Sequence, residues 1–416
     1  MTHWKRNFFT LFIGQQLSFF TSMLVQYSLT WYLADVTKSP TLFALYTLIA
    51  FIPGIFAAPL MGPLIDRVNK KILLITGDWI VAGAAIVIAV YGHGGAPIPF
   101  WLLGVGMFVR SLAGAIQTPT NQSIIPTLVP EAFVPKVSGL NGAFNSASMI
   151  FAPALSAFLY NIMSLSTIML VDVAGAVIGT LAVLMTTIES FDHLDNPTSY
   201  LKELVEGFRL VKNHKGIFQF LIITTLVTTL SMPAFSLYPL ITTTFFHGTI
   251  SDASIVEVFW SIGSLLGGVL IGILGTTKKR LTLGVSWYFL ASLAFSAMGF
   301  LPDTRFGLWL FILLQLPAGV GYMAANGLFM SILQQAFPAT QMGRVMGIVQ
   351  AFTSIASPIG LIFAAPTAEL IGIPPLLIIA GASIFIGNLT SLLLPAVKQL
   401  DDLVIMTHIK TSDNSD

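Results

Sequence analysis

The stretch VSGLNGAFNS at residues 137–146 returns in altered form 208 positions later as VMGIVQAFTS at residues 345–354. The two stretches share Val, Gly, Ala, Phe and Ser at aligned positions. The same shift places Trp101 on Trp309 and keeps one register over three apolar runs. Because 208 is half of 416 residues, we expect the chain to consist of two related halves.

Lipid, rather than water, is the expected surrounding of this chain. Hydrophobic residues make up 55% of the chain and charged residues only 9%, whereas about a quarter of an average soluble domain is charged. A bilayer is crossed by about 20 consecutive apolar residues in a helix, and twelve such runs follow one another here. The sequence therefore predicts an all-α integral membrane protein with twelve transmembrane helices.

One long polar segment divides six apolar runs from six. We predict a six-helix bundle at residues 1–188, a linker at 189–216 with an amphipathic helix over 200–212, a second six-helix bundle at 217–397 and a tail at 398–416. Lys and Arg concentrate in cytoplasmic loops, and placing the N-terminus inside leaves only Lys38 and Arg305 outside. Both termini, the linker and the tail are therefore expected to be cytoplasmic.

The loop between the second and third runs reads GPLIDRVNKK, residues 62–71. Gly62 permits two helices to approach closely, and Asp66 and Arg67 are placed at the membrane edge. A plain basic loop would explain its Lys residues but not Gly62 and Asp66 at this spacing. The loop resembles the signature of the major facilitator superfamily, with Asn69 in place of a Gly; Asn tolerates the left-handed turn that Gly adopts.

Within that superfamily the chain resembles the Mef-type macrolide exporters of the drug:proton antiporter branch over nearly its whole length. Three stretches that carry this resemblance are LLITGDWIVAG around Asp78, MFVRSLAGAIQTP around Arg110 and VDVAGAVIG around Asp172. The resemblance implies the major facilitator fold and a cytoplasmic gate whose charges separate when the transporter opens inward. On this chain the gate residues would be Gly62, Asp66, Arg67, Lys71 and Glu131.

The resemblance also implies a function, secondary active export of hydrophobic or amphipathic small molecules such as macrolides by alternating access, in exchange for protons. Ala152 precedes Pro153 where many proton-driven antiporters have Gly, so proton exchange follows less directly than export. Transport of a lysophospholipid or a siderophore by the same fold is the alternative.

Two charged residues lie inside predicted spans, where a charge costs roughly 2.5–3.5 kcal/mol at the helix centre. Arg110 is placed near the middle of the fourth span, either as an electrostatic element of the central site or as a snorkelling or capping side chain. Asp172 in the sixth span suits a functional or a structural role equally. The shift by 208 residues puts Ala318 and Ala380 at these places in the second half, so the architecture does not require the charges.

Other polar side chains in the spans have weaker assignments. Asp78 lies about 10 Å beyond Lys71 along its helix, which favours an ion pair with the cytoplasmic loop over a proton site. In this superfamily the first, fourth, seventh and tenth spans line the cavity. With Arg110 and Asp172, the residues that we expect at the coupling site or cavity are Gln15, Gln26 and Gln315.

No cofactor or metal is expected, and no enzymatic activity. The chain has no Cys, its six His are scattered, and it contains no phosphate-binding loop. Its net charge of +1 gives no reason to expect a nucleic-acid partner. The expected partners are a small hydrophobic or amphipathic substrate, protons and membrane lipid, with the chain as a monomer in the cell membrane.

Overall fold

The apolar runs of the sequence are continuous helices in the computed structural model, which describes residues 3–95, 97–130, 133–187, 200–274, 280–337 and 339–400. A helix satisfies all its backbone hydrogen bonds internally, as the bilayer core demands. Twelve of the described helices are long and apolar enough to cross a membrane, which confirms the count made from the sequence. The described helices fall into two compact units, Met1–Asp195 and Asn196–Asp416.

The first unit contains six helices of membrane length. They are α1 His3–Thr37, α2 Pro40–Arg67, α3 Lys70–Tyr91, α4 Phe100–Leu128, α5 Val134–Ile162 and α6 Leu165–Met185. Their main pairings are α1 with α5 and α6, α3 with α4 and α6, and α2 with α4. Helix α1 therefore lies against α6 along one face, and α3 lies against both α4 and α6.

The second unit repeats this arrangement. Its helices are α7 Tyr200–Asn213, α8 Lys215–Leu240, α9 Ile250–Leu274, α10 Arg280–Gly299, α11 Arg305–Ala336, α12 Ala339–Ile371, α13 Pro374–Leu393 and the short α14 Pro395–Lys398. Helix α8 packs on α12 and α13, α10 packs on α11 and α13, and α9 packs on α11. These pairings match those of α1 to α6 one for one.

The helix ends agree with the repeat of 208 residues. Adding 208 to Tyr91, the last residue of α3, gives Gly299, the last residue of α10. Leu128 of α4 corresponds in the same way to Ala336 of α11. The repeat thus extends from a few identical residues to the bounds of the helices, because helix ends are set by the same polar breaks in both halves.

The amphipathic helix expected over residues 200–212 is observed as α7, from Tyr200 to Asn213. Val211 on its apolar face is fully buried in a cluster with Leu333 of α11 and Val345 of α12. On its polar face Glu206 forms an ion pair with Arg344 at 3.1 Å. Residues 188–199 of the expected linker and 401–416 of the expected tail lie outside the described residues.

Candidate functional site

A cavity of about 380 Å³ lies within the first unit. Its apolar lining comes mainly from aromatic and aliphatic side chains of α1, among them Phe8, Phe12, Phe19 and Met23. Its polar lining comes from α1, α3, α4, α5 and α6, and includes Gln15, Gln26, Asp78, Arg110, Gln117 and Asp172. Apolar walls with a few convergent polar groups are typical of small-molecule sites.

Arg110 of α4 is the centre of one polar cluster in this cavity. It forms an ion pair with Asp172 of α6, and the two side chains are only 10% and 2% exposed. Arg110 Nε donates to Gln26 Oε1 at 3.1 Å, and Nη2 donates to the carbonyl oxygen of Ser22, both on α1. A guanidinium with several acceptors compensates both buried charges. Arg110 therefore joins three helices, and one of its hydrogen bonds goes to a carbonyl oxygen within α1.

Asp78 of α3 is the centre of a second polar cluster. The residue is 5% exposed, and its Oδ1 accepts hydrogen bonds from Ser18 Oγ at 3.0 Å and Gln117 Nε2 at 2.7 Å. The expected ion pair with the cytoplasmic loop is wrong, because no described cation contacts this carboxyl group. The side chain points across α3 to α1 and α4 rather than along the helix towards Lys71.

Further amide pairs tie α1 to its neighbours. Asn121 Nδ2 of α4 donates to Gln15 Oε1 at 3.1 Å, and Gln16 Nε2 donates to Asn141 Oδ1 of α5. Gln15 and Gln26 line this cavity, and each is held by a partner on α4.

Gln117 and Ser18 are among the cavity residues that were not predicted from the sequence. Gln117 follows Arg110 by seven residues, about two helical turns, so the two side chains share one face of α4. On α1, Gln15, Ser18, Ser22 and Gln26 follow one another at intervals of three or four residues and so share one face. This periodicity of polar residues within an apolar span was the signal that could have identified them.

Gln315, expected in the cavity of the second half, is buried in α11 beside Met298, with its Nε2 3.6 Å from the sulfur atom. A smaller cavity of about 90 Å³ within the second unit is lined by other residues, including Thr224, Tyr288, Tyr322 and Asn388. Hydroxyl groups and aromatic rings dominate that lining, and it contains no charged side chain. Among the described residues, the charged side chains that line a cavity within the membrane spans therefore all belong to the first unit.

The expected gate is only partly described. Gly62, Asp66 and Arg67 belong to α2, but their side chains lie outside the described residues, as does Glu131 entirely. The backbone N–H of Lys71 donates to Asn69 Oδ1 at 2.9 Å, so Asn69 caps the N-terminus of α3. The left-handed turn considered for Asn69 is wrong, because its φ is −57°; capping, not chain reversal, explains Asn here.

The described residues contain no group of three or more His, Asp or Glu placed to hold a metal ion. The cavity instead combines one compensated ion pair, one buried carboxyl group without a cation, and several amides. Such an arrangement can bind an amphipathic molecule and can exchange a proton, and it offers no nucleophile with an activating base.

Comparisons with known proteins agree with this geometry. A model of the Major Facilitator Superfamily matches residues 11–361. Macrolide efflux protein A of Streptococcus pyogenes is 30% identical over 401 residues, which cover 96% of this chain and 98% of that protein. Macrolide efflux protein A of Enterococcus faecalis is 31% identical over 317 residues, covering 76% of this chain and 97% of that protein.

A crystal structure of a D-xylose-proton symporter shares the fold, with a TM-score of 0.71 at 13% identity, over 92% of this chain and 97% of the symporter chain. Family match, twelve membrane helices and fold agree with one another. The chain therefore belongs to the Major Facilitator Superfamily, and is a multi-pass plasma membrane transporter rather than an enzyme.

Proposed function

We propose that this transporter exports hydrophobic or amphipathic molecules of the macrolide class by alternating access, in exchange for protons. The observation that carries the proposal is the cavity of the first unit, which sets buried charges among aromatic and aliphatic side chains. Its volume of about 380 Å³ lies within the range of drug-sized sites. Efflux of macrolides by the two relatives, as their names state it, supports the substrate class.

In this mechanism the proton and the drug each favour one facing state, since a ligand shifts a conformational equilibrium only by its differential affinity for the two states. Arg110 and Asp172 supply the fixed charges of the site. Their positions on α4 and α6, with Gln26 and Ser22 on α1, make the local packing of three helices sensitive to charge in the cavity.

The cytoplasmic gate is part of the same proposal. Asp66, Arg67, Lys71 and Glu131 would hold the cytoplasmic side closed and separate when it opens. The distribution of Lys and Arg along the chain supports a cytoplasmic location for this loop and for both termini.

Transport by the purified chain in proteoliposomes tests the proposal. With a pH gradient imposed across the vesicle membrane, radiolabelled erythromycin should move against its own concentration gradient, and it should not do so in empty liposomes. Arg110→Ala and Asp172→Asn should each abolish this uphill movement. Uphill transport of a labelled lysophospholipid or siderophore but not of erythromycin would overturn the substrate class, and full uphill transport by both variants would overturn the assignment of the site.

A further inference from the structure

Of the two described acids that line the first-unit cavity, Asp172 is paired with Arg110, whereas Asp78 has no cationic partner. We propose that Asp78 is the proton-binding group of this transporter, with the Arg110–Asp172 pair as a fixed charge beside it. The proposal rests on the function proposed above and names the atom that carries the proton in it.

Hydrogen bonding distinguishes the two oxygen atoms of Asp78. Oδ1 accepts from Ser18 Oγ and Gln117 Nε2, whereas Oδ2 is buried and makes no hydrogen bond of standard geometry with any described atom. The two oxygen atoms of a protonated carboxyl group also differ, because one only accepts hydrogen bonds and the other bears the proton. Oδ2 is therefore the oxygen atom that is available to take a proton.

The surrounding charges favour the neutral form. Helix α3 packs against α4 and α6, whose charged groups facing the cavity are Arg110 and Asp172. These two are paired with each other, so the positive charge of Arg110 is already balanced by Asp172 and does not stabilise a second carboxylate at Asp78. Helix α1 contributes only amides and hydroxyl groups here. A carboxylate that is buried in an apolar medium without a cation is neutralised by taking a proton.

Gly179 of α6 packs closely beside Oδ2, and only the absence of a side chain permits this approach. A Cβ atom at this position would lie 2.7 Å from Asp78 Oδ2 and 3.2 Å from Gln15 Nε2. Gln15 Nε2 is itself buried without a hydrogen bond of standard geometry, and its amide interacts with the Asp78 side chain. An amide donor thus stands beside the carboxyl group and stabilises the anion that forms when the proton leaves.

The second unit shows that the helix packing does not need this carboxyl group. The repeat places Ser286 at the position of Asp78 and Ile223 at that of Gln15. Gly387, the counterpart of Gly179, faces Ile223 and Val227, so the corresponding space is apolar. The polar cluster around Asp78 is therefore present in one half of a common scaffold and absent from the other, which favours a functional role over a structural one.

In each cycle the O–H bond of Asp78 breaks when drug binds from the cytoplasm, and the proton passes to cytoplasmic water. The carboxylate then takes one proton from the outer side as drug leaves, which restores the neutral acid. One positive charge moves inward for each molecule exported by this step, and no other reactant is required.

Two measurements on the full-length protein test the assignment. The first is uphill transport of radiolabelled erythromycin driven by a pH gradient in proteoliposomes, with exchange of erythromycin in the absence of a gradient as the companion measurement. Asp78→Asn should lose the uphill transport down to the level of empty liposomes and keep the exchange. Asp303→Asn, a half-exposed Asp far from this cavity in sequence, is the matched control and should keep both.

The second measurement is infrared difference spectroscopy of the purified protein as the pH is raised, with no drug present. The wild type should lose a carbonyl band of a protonated carboxyl group, and Asp78→Asn should lack this band while Asp303→Asn retains it. Uphill transport by Asp78→Asn, or a band unchanged by that substitution, would overturn the assignment. A wild type that shows the band but no proton-driven transport would instead overturn the proposed function and leave the proton site standing.

Discussion

The ion pair between Arg110 on α4 and Asp172 on α6 is almost completely buried, with the Asp172 side chain 2% exposed and that of Arg110 10% exposed. The two residues are 62 positions apart in sequence. Their pairing explains how two charges are retained at membrane depth, because each provides the compensation that the other requires.

Breaking this pair from one side should destabilise the protein strongly. Asp172→Asn leaves the Arg110 guanidinium buried without its counter-ion, and we expect a loss of about 3–5 kcal/mol in the free energy of unfolding. Denaturant unfolding in a fixed mixed micelle checks this value. The double variant Arg110→Met with Asp172→Leu should lose less free energy of unfolding than the sum of the losses in Arg110→Met and Asp172→Leu measured separately. Additive losses would contradict a direct pairing.

Asp78→Asn should behave in the opposite way. The amide has the shape of a neutral acid and can still accept from Ser18 and Gln117 through its oxygen atom. We expect a free energy of unfolding within about 1 kcal/mol of the wild type, measured in the same micelle. A loss as large as that of Asp172→Asn would indicate that Asp78 is charged and compensated in the folded protein, contrary to its contacts.

Gly179→Ala should perturb the Asp78 cluster from α6. The added Cβ would lie within 2.7 Å of Asp78 Oδ2, and overpacking of this kind costs about 1–3 kcal/mol. We expect lower stability and slower proton-driven export, the latter measured in proteoliposomes. Gly83→Ala in α3 is the control, because a Cβ there meets no atom within 4 Å; equal effects of the two changes would show that loss of a helical glycine alone is responsible.

The linker helix α7 should depend on backbone packing more than on its ion pair. Glu206 and Arg344 are 39% and 42% exposed, so Glu206→Gln should cost less than about 1 kcal/mol. Gly207→Ala places a Cβ 2.6 Å from the carbonyl oxygen of Arg344 and should detach α7 from α12. Hydrogen exchange of the α7 amides measures both variants, and faster exchange in Glu206→Gln than in Gly207→Ala would refute this order.

The sequence alone was sufficient for the twelve membrane helices, the repeat of 208 residues and the helix at residues 200–212. These features depend on the hydropathy of consecutive residues, which a bilayer or an interface selects directly. Arg110 and Asp172 were also recognisable one at a time, because a charge inside an apolar run stands out without knowledge of its neighbours.

The hydrogen-bond and ion-pair partners of the buried side chains were decided only by the tertiary structure. Asp78 was expected at an ion pair with the loop next to it, but it lies against Ser18 and Gln117, which are 60 and 39 positions away. The rotation of each helix about its axis and its choice of neighbour depend on the packing of several helices together. Hydropathy along one helix therefore locates the buried charges. The mutual packing of α1, α3, α4 and α6 determines which of these charges has a counter-ion and which has only hydrogen-bond donors.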